Sequence, residues 1–354
     1  MAKFTYKAVG GDRDTHAEFV AAIARHMRRT FGPEVIPNFG GFAGLFALAE
    51  QGRFWSRRYR DPVLVACADG VGTKLKIACA LGRHDTVGID LVAMNVNDLI
   101  TLGAVPLFFL DYLAVGDLAN ATKAAILKGI ADGCAQAGCA LLDGETATMT
   151  DFYTPGEYGL AGFAVGIAER RRLVDGHAVQ PGQAIIGLAS SGLHNNGFTL
   201  ARRVLLAEAK MPLEGHVASL GCTLGEELLR PTRIYVAAVH AVCAAYRRKH
   251  VPAAIAHITG GGLLANVPRV LPPHCEAHIR RGAWPEPPIF DLIRRTGEID
   301  EDEMFRVFNM GIGMVMIVPP YYVDATLERL SRVGVPAYVI GEVRRGTRAV
   351  RLSS

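Results

Sequence analysis

The chain has little that would take it into a membrane or out of the cell. Its most apolar stretch, "AVPLFFLDYLAVG", is too short for a membrane span and carries Asp111 within it. No apolar h-region follows the opening "MAKFTYKAVGGDRD", so no secretory signal is read and a cytoplasmic protein is expected. The 7 cysteines are odd in number and irregularly spaced. Cys134 and Cys139 do not have a zinc-site spacing, and stretches such as "AVCAAY" set thiols among apolar neighbours. Free, buried thiols in a reducing compartment are the reading. Excess charge is also scarce: 38 basic against 34 acidic residues leave a net charge of +4. That suits phosphorylated small molecules and argues against nucleic acid, which asks for a clustered basic face. The runs "RHMRR", "ERRR" and "YRRK" read as solvated helix faces and turns. No short-period repeat or low-complexity tract occurs. Also missing are the G-x-x-x-x-G-K-[ST] phosphate loop and the G-x-S-x-G elbow of serine hydrolases.

What is present is enough for a sizeable core. Of 354 residues, 50% are hydrophobic and 20% charged, which favours a globular protein of two domains. The N-terminal half alternates helix-like and strand-like segments. "DTHAEFVAAIARHMRRTFGP" reads as a helix capped at Asp14 or Thr15 and stopped at Gly32-Pro33. "DPVLVACAD", "PLFFLDYLAV" and "LAGFAVGIAE" read as strands, and "TVGIDLVAMNVNDLITLGAVP" and "DLANATKAAILKGIADGCAQAG" as helices. The polar "ERRRLVDGHAVQPGQ" marks a boundary. The second half restarts with the strand "AIIGLASSG", continues through helices at "NNGFTLARRVLLAEA" and "TRIYVAAVHAVCAAYRRK" and through strand, glycine turn and helix in "AAIAHITGGGLLANVPRVLP", and closes with the strands "GIGMVMIVPP" and "PAYVIGEV" around the helix "VDATLERLSRVG". The expected fold is α/β (α+β), two domains over residues 1–170 and 171–354, each a mixed β-sheet flanked by helices.

Several segments have the makings of a site. On the helix from Gly88, Asp90, Met94 and Asn97 share one face at about 100° per residue, with Asp98 beside them. Val92, Val96 and Leu99 lie opposite. That stripe is either a solvated face or a set of oxygen ligands for Mg²⁺, a hard ion. Asp69 ends an apolar strand, Asp111 interrupts another, and Glu145 follows Gly144. The stretch "DGVGTK" departs from the usual phosphate loop. It is either a tight turn with surface lysines or a cradle in which Gly70 and Gly72 admit an anion and Lys74 offsets its charge. "NFGGFAGL", with Gly40 and Gly41, allows the same two readings at a helix start. "SSGLHNNGF" sets Ser190, Ser191, Gly192, His194 and Asn195 between a strand and a helix, where the imidazole is a capping group or a titrating one. "HITGGGL" and "FNMGIGM" add further glycine turns. Together these suggest several phosphates and a hard metal, hence ATP chemistry without a Walker fold.

The order of the motifs resembles the phosphoribosylformylglycinamidine cyclo-ligase (aminoimidazole ribonucleotide synthetase) family of purine biosynthesis. They run "YKAVGGD", "GGFAGLFAL", "DGVGTKLKIA", "GIDLVAMNVNDLITLGAVPLFFLDYLAVG", "GETATM", "YGLAGFAVGI", "SSGLHNNGF", "PTRIYV", "HITGGGLLANVPRVLP", "EMFRVFNMGIGM" and "IGEV", over nearly the whole chain. The resemblance implies a homodimer whose N-domain sheets pair into a barrel, with the C-domain closing the cleft. It implies that ATP phosphorylates the formyl-amide oxygen of formylglycinamidine ribonucleotide, and that the substrate's own amidine nitrogen then displaces phosphate. By motif, Asp69, Asp98 and Glu145 would hold Mg²⁺. Gly40, Gly41, Gly70, Gly72, Thr73, Lys74, Asp90 and Asn97 would bind ATP. Ser190, Ser191, Gly192, Asn195, Thr259, Gly260, Gly261 and Arg233 would bind substrate, and His194, Lys74 and Asp98 would act in catalysis. The chain departs from the family pattern at "VGGDRDTHA", at Ala24 where a lysine is common, at "DGETATMTD" and at "SGLHNNG". Related ATP-using enzymes, such as thiamine-phosphate kinase or formylglycinamidine ribonucleotide synthetase, and a non-catalytic nucleotide-binding paralogue are the alternatives. Selenophosphate synthetase is disfavoured, because no cysteine precedes Cys67.

Overall fold

The computed structural model describes residues 23–36, 45–46, 59–246, 249 and 251–353. Residues 23–28 are helical, in the middle of the first expected helix. A short antiparallel ribbon, Val35–Ile36 with Leu45–Phe46, follows.

The first sheet is built from β1 (Pro62–Val71), β2 (Val105–Val115), β3 (Ala140–Thr148) and β4 (Tyr158–Glu169). Its order is β1-β4-β2-β3, antiparallel except for the parallel β2/β3 pair. Between the strands run α1 (Leu75–Leu81), α2 (Val87–Ile100) and α3 (Asn120–Ala137). Gly138 ends α3 in a left-handed conformation, φ 68°, donating to the carbonyls of Ala135 and Cys134. Helices α2 and α3 approach closely because Gly88 has no side chain: a Cβ there would lie 2.3 Å from the Ile130 nitrogen.

Register decides which side chains share a face. Asp69 pairs with Gly162, Gly162 with Asp111, and Asp111 with Gly144. This row points at the helices, since a Cβ on Gly162 would lie 3.1 Å from the Asn95 amide nitrogen of α2 and Asp111 is buried. The adjoining rows, Ala68–Phe163–Leu110–Asp143 and Gly70–Ala161–Tyr112–Glu145, point the other way. On that second face Leu64, Tyr112 and Phe163 are exposed, while Leu110 packs with Phe108 against Val35 and Phe46.

Strand β4 ends at Glu169, and the second sheet begins with β5 (Ala184–Ala189). With it run β6 (Ala254–His257), β7 (Cys275–Arg280), β8 (Ile312–Val318), β9 (Ala337–Arg345) and β10 (Val350–Ser353), in the order β6-β8-β5-β9-β7-β10. The helices are α4 (Phe198–Arg202), continued by a π-helical turn over Arg203–Glu208, then α5 (Leu224–Leu228), α6 (Val236–Cys243), α7 (Gly262–Asn266), α8 (Pro288–Thr296), α9 (Glu301–Val307) and α10 (Val323–Arg332). A capping box, Thr223 with Glu226, starts α5. The core of both sheets is continuous through the interdomain seam.

Three strands depart from the sequence reading. β3, β7 and β10 were not among the expected elements. β3 contains "DGET" and β7 alternates apolar with charged residues, so neither shows the plain apolar run used to find strands. The helix expected to end at Gly103 and Pro106 stops at Ile100, and β2, expected from Pro106, begins at Val105. All seven cysteines are free. No helix among the described residues is long and apolar enough to cross a membrane.

Candidate active site

Asp69 sits near the C-terminal end of β1, and Asp98 lies on α2, which packs over that strand. The Gly70 backbone N–H donates to an Asp69 carboxylate oxygen at 2.7 Å. Burial pushes the Asp69 carboxyl up, the Gly70 bond opposes this, and the neighbouring Asp98 raises it further. From the other domain, the Nδ1 of His257, last residue of β6, donates to Asp98 at 2.7 Å. The sequence reading had named the glycines after this histidine and not His257 itself. Its signal was the one used for Asp69: a polar residue closing a buried apolar strand.

His194 lies in the turn between β5 and α4. It is buried, with a left-handed backbone (φ 61°) that is uncommon for a residue with a side chain. Its Nε2 accepts the Ser191 backbone N–H at 3.0 Å, so the ring proton sits on Nδ1. Burial, then His257, Lys74 and Arg233, hold its pKa well below the ordinary value, and the ring is neutral. Asn195 donates to the Gly70 carbonyl across the seam at 3.2 Å. Four buried polar atoms here have no hydrogen-bond partner among the described residues: His194 Nδ1, Asn195 Oδ1, Arg233 Nε and His257 Nε2. An unpaired buried polar group costs roughly 1–3 kcal/mol, so their gathering at one seam marks a place built to be completed by a ligand.

The other expected site residues fall into three groups. Ser190 donates to the Gly192 carbonyl, Ser191 Oγ to the Pro231 carbonyl, and Asn309 to the carbonyls of Gly192 and Leu193. Thr259, Gly260 and Gly261 form the turn after His257, where the Asn266 amide donates to the Thr259 and Gly260 carbonyls. Thr73 bonds Thr199 across the seam at 3.2 Å, and a side chain on Gly72 would meet nothing within 4 Å. These residues border the same seam. Gly40 and Gly41 lie outside the described residues.

Four expectations are corrected. Lys74 does not face an open phosphate site. It is fully buried, and its ammonium bonds Asp90, the His194 carbonyl and the Arg230 carbonyl. Asp90 is likewise buried; besides Lys74 it accepts the N–H and hydroxyl of Thr232, at 2.8 and 2.6 Å. Asn97 accepts the Tyr235 N–H and donates to the Arg233 carbonyl. The stripe read as solvent or metal ligands is therefore where α2 docks on the second domain. Glu145, finally, is on the far edge strand and on the opposite sheet face from Asp69, so it does not join Asp69 and Asp98. Among the described residues, no group of three or more His, Cys, Asp or Glu is arranged to hold a metal.

The fold and seam define a two-domain α/β chain with a polar cleft between its sheets. Residues 57–168 match the N-terminal domain of the AIR synthase related protein family, and residues 180–352 match its C-terminal domain. The chain is 52% identical over 346 residues to the phosphoribosylformylglycinamidine cyclo-ligase of Geobacillus kaustophilus, covering 98% of this chain and 97% of that one. It is 52% identical over 342 residues to that of Myxococcus xanthus, covering 97% and 96%. It belongs to the phosphoribosylformylglycinamidine cyclo-ligase family. Among solved structures, thiamine-monophosphate kinase from Stenotrophomonas maltophilia shares the fold at 18% identity, with TM-score 0.66 over 94% of this chain and 96% of that one. Hydrogenase maturation protein HypE, solved in complex with ATP, shares it at 15% identity, with TM-score 0.64 over 97% and 92%.

Proposed function

We propose that this chain carries out the ring closure for which its relatives are named, converting formylglycinamidine ribonucleotide and ATP to aminoimidazole ribonucleotide, ADP and phosphate. The observation that carries the reading is the identity of about half the residues to cyclo-ligases across both domains. The chemistry needs ATP because an amide oxygen leaves poorly and a phosphorylated one leaves well. Ring closure then joins two groups of one molecule, where proximity lowers the barrier.

Asp69 and Asp98 are the proposed Mg²⁺ ligands. Burial and the neighbouring Asp98 raise the cost of charging Asp69, which a hard cation relieves, and two acids plus nucleotide phosphates suit Mg²⁺. When bound, the ion would neutralise phosphate charge. His257 holds Asp98 in place. The backbone from Gly70 to Thr73, with Gly40 and Gly41, is assigned to the nucleotide. Residues 190–192, Asn195, Arg233 and 259–261 are assigned to the substrate. His194 is assigned hydrogen-bond donation from Nδ1–H to the formyl oxygen as charge grows there, because a neutral imidazole already accepting at Nε2 has only that proton to offer.

The face of the first sheet that exposes Leu64, Tyr112 and Phe163 is proposed to pack against the same face of a second copy, as a homodimer. Leu64, Tyr112 and Phe163 support this, since an apolar patch of that kind is uncommon on a monomer. The assay that tests the function mixes protein, ATP, Mg²⁺ and formylglycinamidine ribonucleotide and follows ADP and aminoimidazole. Substrate-dependent ADP with equal aminoimidazole is expected; ADP release indifferent to the substrate would refute it.

A further inference from the structure

Lys74 has three ammonium protons and three sets of acceptors. The Asp90 carboxylate lies at 2.8 and 2.9 Å, the His194 carbonyl at 3.1 Å and the Arg230 carbonyl at 2.7 Å. The ring of Phe198 is 5.5 Å away. No proton is left for a phosphate. Burial lowers the Lys74 pKa and raises that of Asp90, and each partner opposes the other's shift. The hydrogen bonds of the pair also cross the seam. Lys74 and Asp90 belong to the first domain; His194, Arg230 and Thr232 belong to the second.

His194 is where this tie ends. Its left-handed backbone costs on the order of 1–3 kcal/mol unless the surroundings hold it. Asn309 holds the two carbonyls before it, and the Ser191 N–H holds its ring at Nε2. Both grips come from its own domain. The grip on its own carbonyl comes from Lys74, across the seam. The direction of Nδ1 thus depends on the first domain being docked.

We propose that Lys74 is a positioning residue: its ammonium, held by Asp90, fixes the His194 carbonyl and couples domain docking to the aim of the His194 imidazole. Nucleotide binding is not its task. The rate readout below rests on the cyclo-ligase reading; the spectroscopic one does not.

The test uses the full chain. Lys74→Met alone leaves a buried, unpaired carboxylate, which is strongly destabilising. The double variant Lys74→Met/Asp90→Asn removes both charges and keeps an acceptor for Thr232. With histidine labelled in 13C and 15N, the His194 imidazole signals are expected to broaden or split. Affinity for Mg²⁺–ADP by calorimetry is expected to stay within about twofold. The kcat for ring closure should fall about a hundredfold, with KM for ATP unchanged, as for a group misplaced by about an ångström. A tenfold or greater loss of ADP affinity overturns the proposal in favour of phosphate contact. An unchanged His194 spectrum overturns it too. Should the double variant not fold, Thr232→Val takes one hydrogen bond from Asp90 and loosens the pair while both charges stay matched. The same spectrum then decides, by the same two results. If the wild-type protein closes no ring, the functional reading fails while the histidine spectrum still judges the tie.

Discussion

His257 and Asp98 meet across the seam between the two domains, Nδ1 to carboxylate oxygen, at 2.7 Å. The acid side chain is 41% exposed and the imidazole 2%, so Asp98 faces the cleft and His257 backs it. Asp98→Ala should abolish turnover and leave the fold intact by circular dichroism. His257→Asn should cost about 10–100-fold in kcat/KM, the usual effect of losing a group that orients a ligand residue. Near wild-type kinetics for either variant would remove the pair from the mechanism.

Gly313 bears on His194 without carrying any chemistry. A Cβ at this position on β8 would lie 2.3 Å from His194 Cε1 and 2.2 Å from the Tyr235 hydroxyl. Gly313→Ala should therefore displace the imidazole, with a stability loss of about 1–3 kcal/mol. The kcat should drop at least tenfold while ADP affinity holds. Unchanged kcat, measured at saturating ATP, would mean that His194 needs no fixed position.

Asp111 predicts a pH dependence of stability. Burial first, then Asp143 and Glu145, push its carboxyl up to about 7. Its unfolded value is lower, so the folded state holds the extra proton between about pH 4 and 7. The favourable contribution is complete below that window and is lost as pH rises through 7. Asp111→Asn has no such charge to bury. Its stability relative to wild type, by urea unfolding, should improve from pH 5 to pH 8; a constant difference would show that Asp111 ionises without cost.

The exposed residues of the first sheet give a test of assembly. Phe163 is 45% exposed there, between Ala68 and Leu110 in the ladder. Phe163→Glu would place a charge in the middle of the proposed dimer interface. Light scattering should show the wild type as a dimer and the variant as a monomer. A monomeric wild type would contradict the assignment of this face.

Much of the architecture was legible because it rests on local pattern. The apolar runs before Asp69 and around Asp111, and the glycine after α3, mark their elements directly. Asp69 was singled out as an acid closing an apolar strand, and Asp98 as a neighbour of the polar stripe on its helix. What stayed hidden depends on pairing at long range. Lys74 and His194 are 120 residues apart in sequence, so nothing near Lys74 tells that its partner is a carbonyl in the other domain. A lysine after two glycines looks like a phosphate ligand until its acceptors are seen. Glu145 looked like a metal ligand by motif. Only the strand order and register put it on the opposite face from Asp69.

The central claim is that the chain activates a formyl oxygen with ATP and closes a ring. Formylglycinamidine ribonucleotide labelled with 18O in its formyl group, supplied with ATP and Mg²⁺, tests it most directly. In the proposed reaction the γ-phosphoryl group would bond to that oxygen, the amidine nitrogen would attack the same carbon, the carbon–oxygen bond would break and the nitrogen's proton would be released. Inorganic phosphate should therefore carry one labelled oxygen for each aminoimidazole and each ADP formed. Unlabelled phosphate alongside aminoimidazole, or ring closure without ADP, would contradict the account.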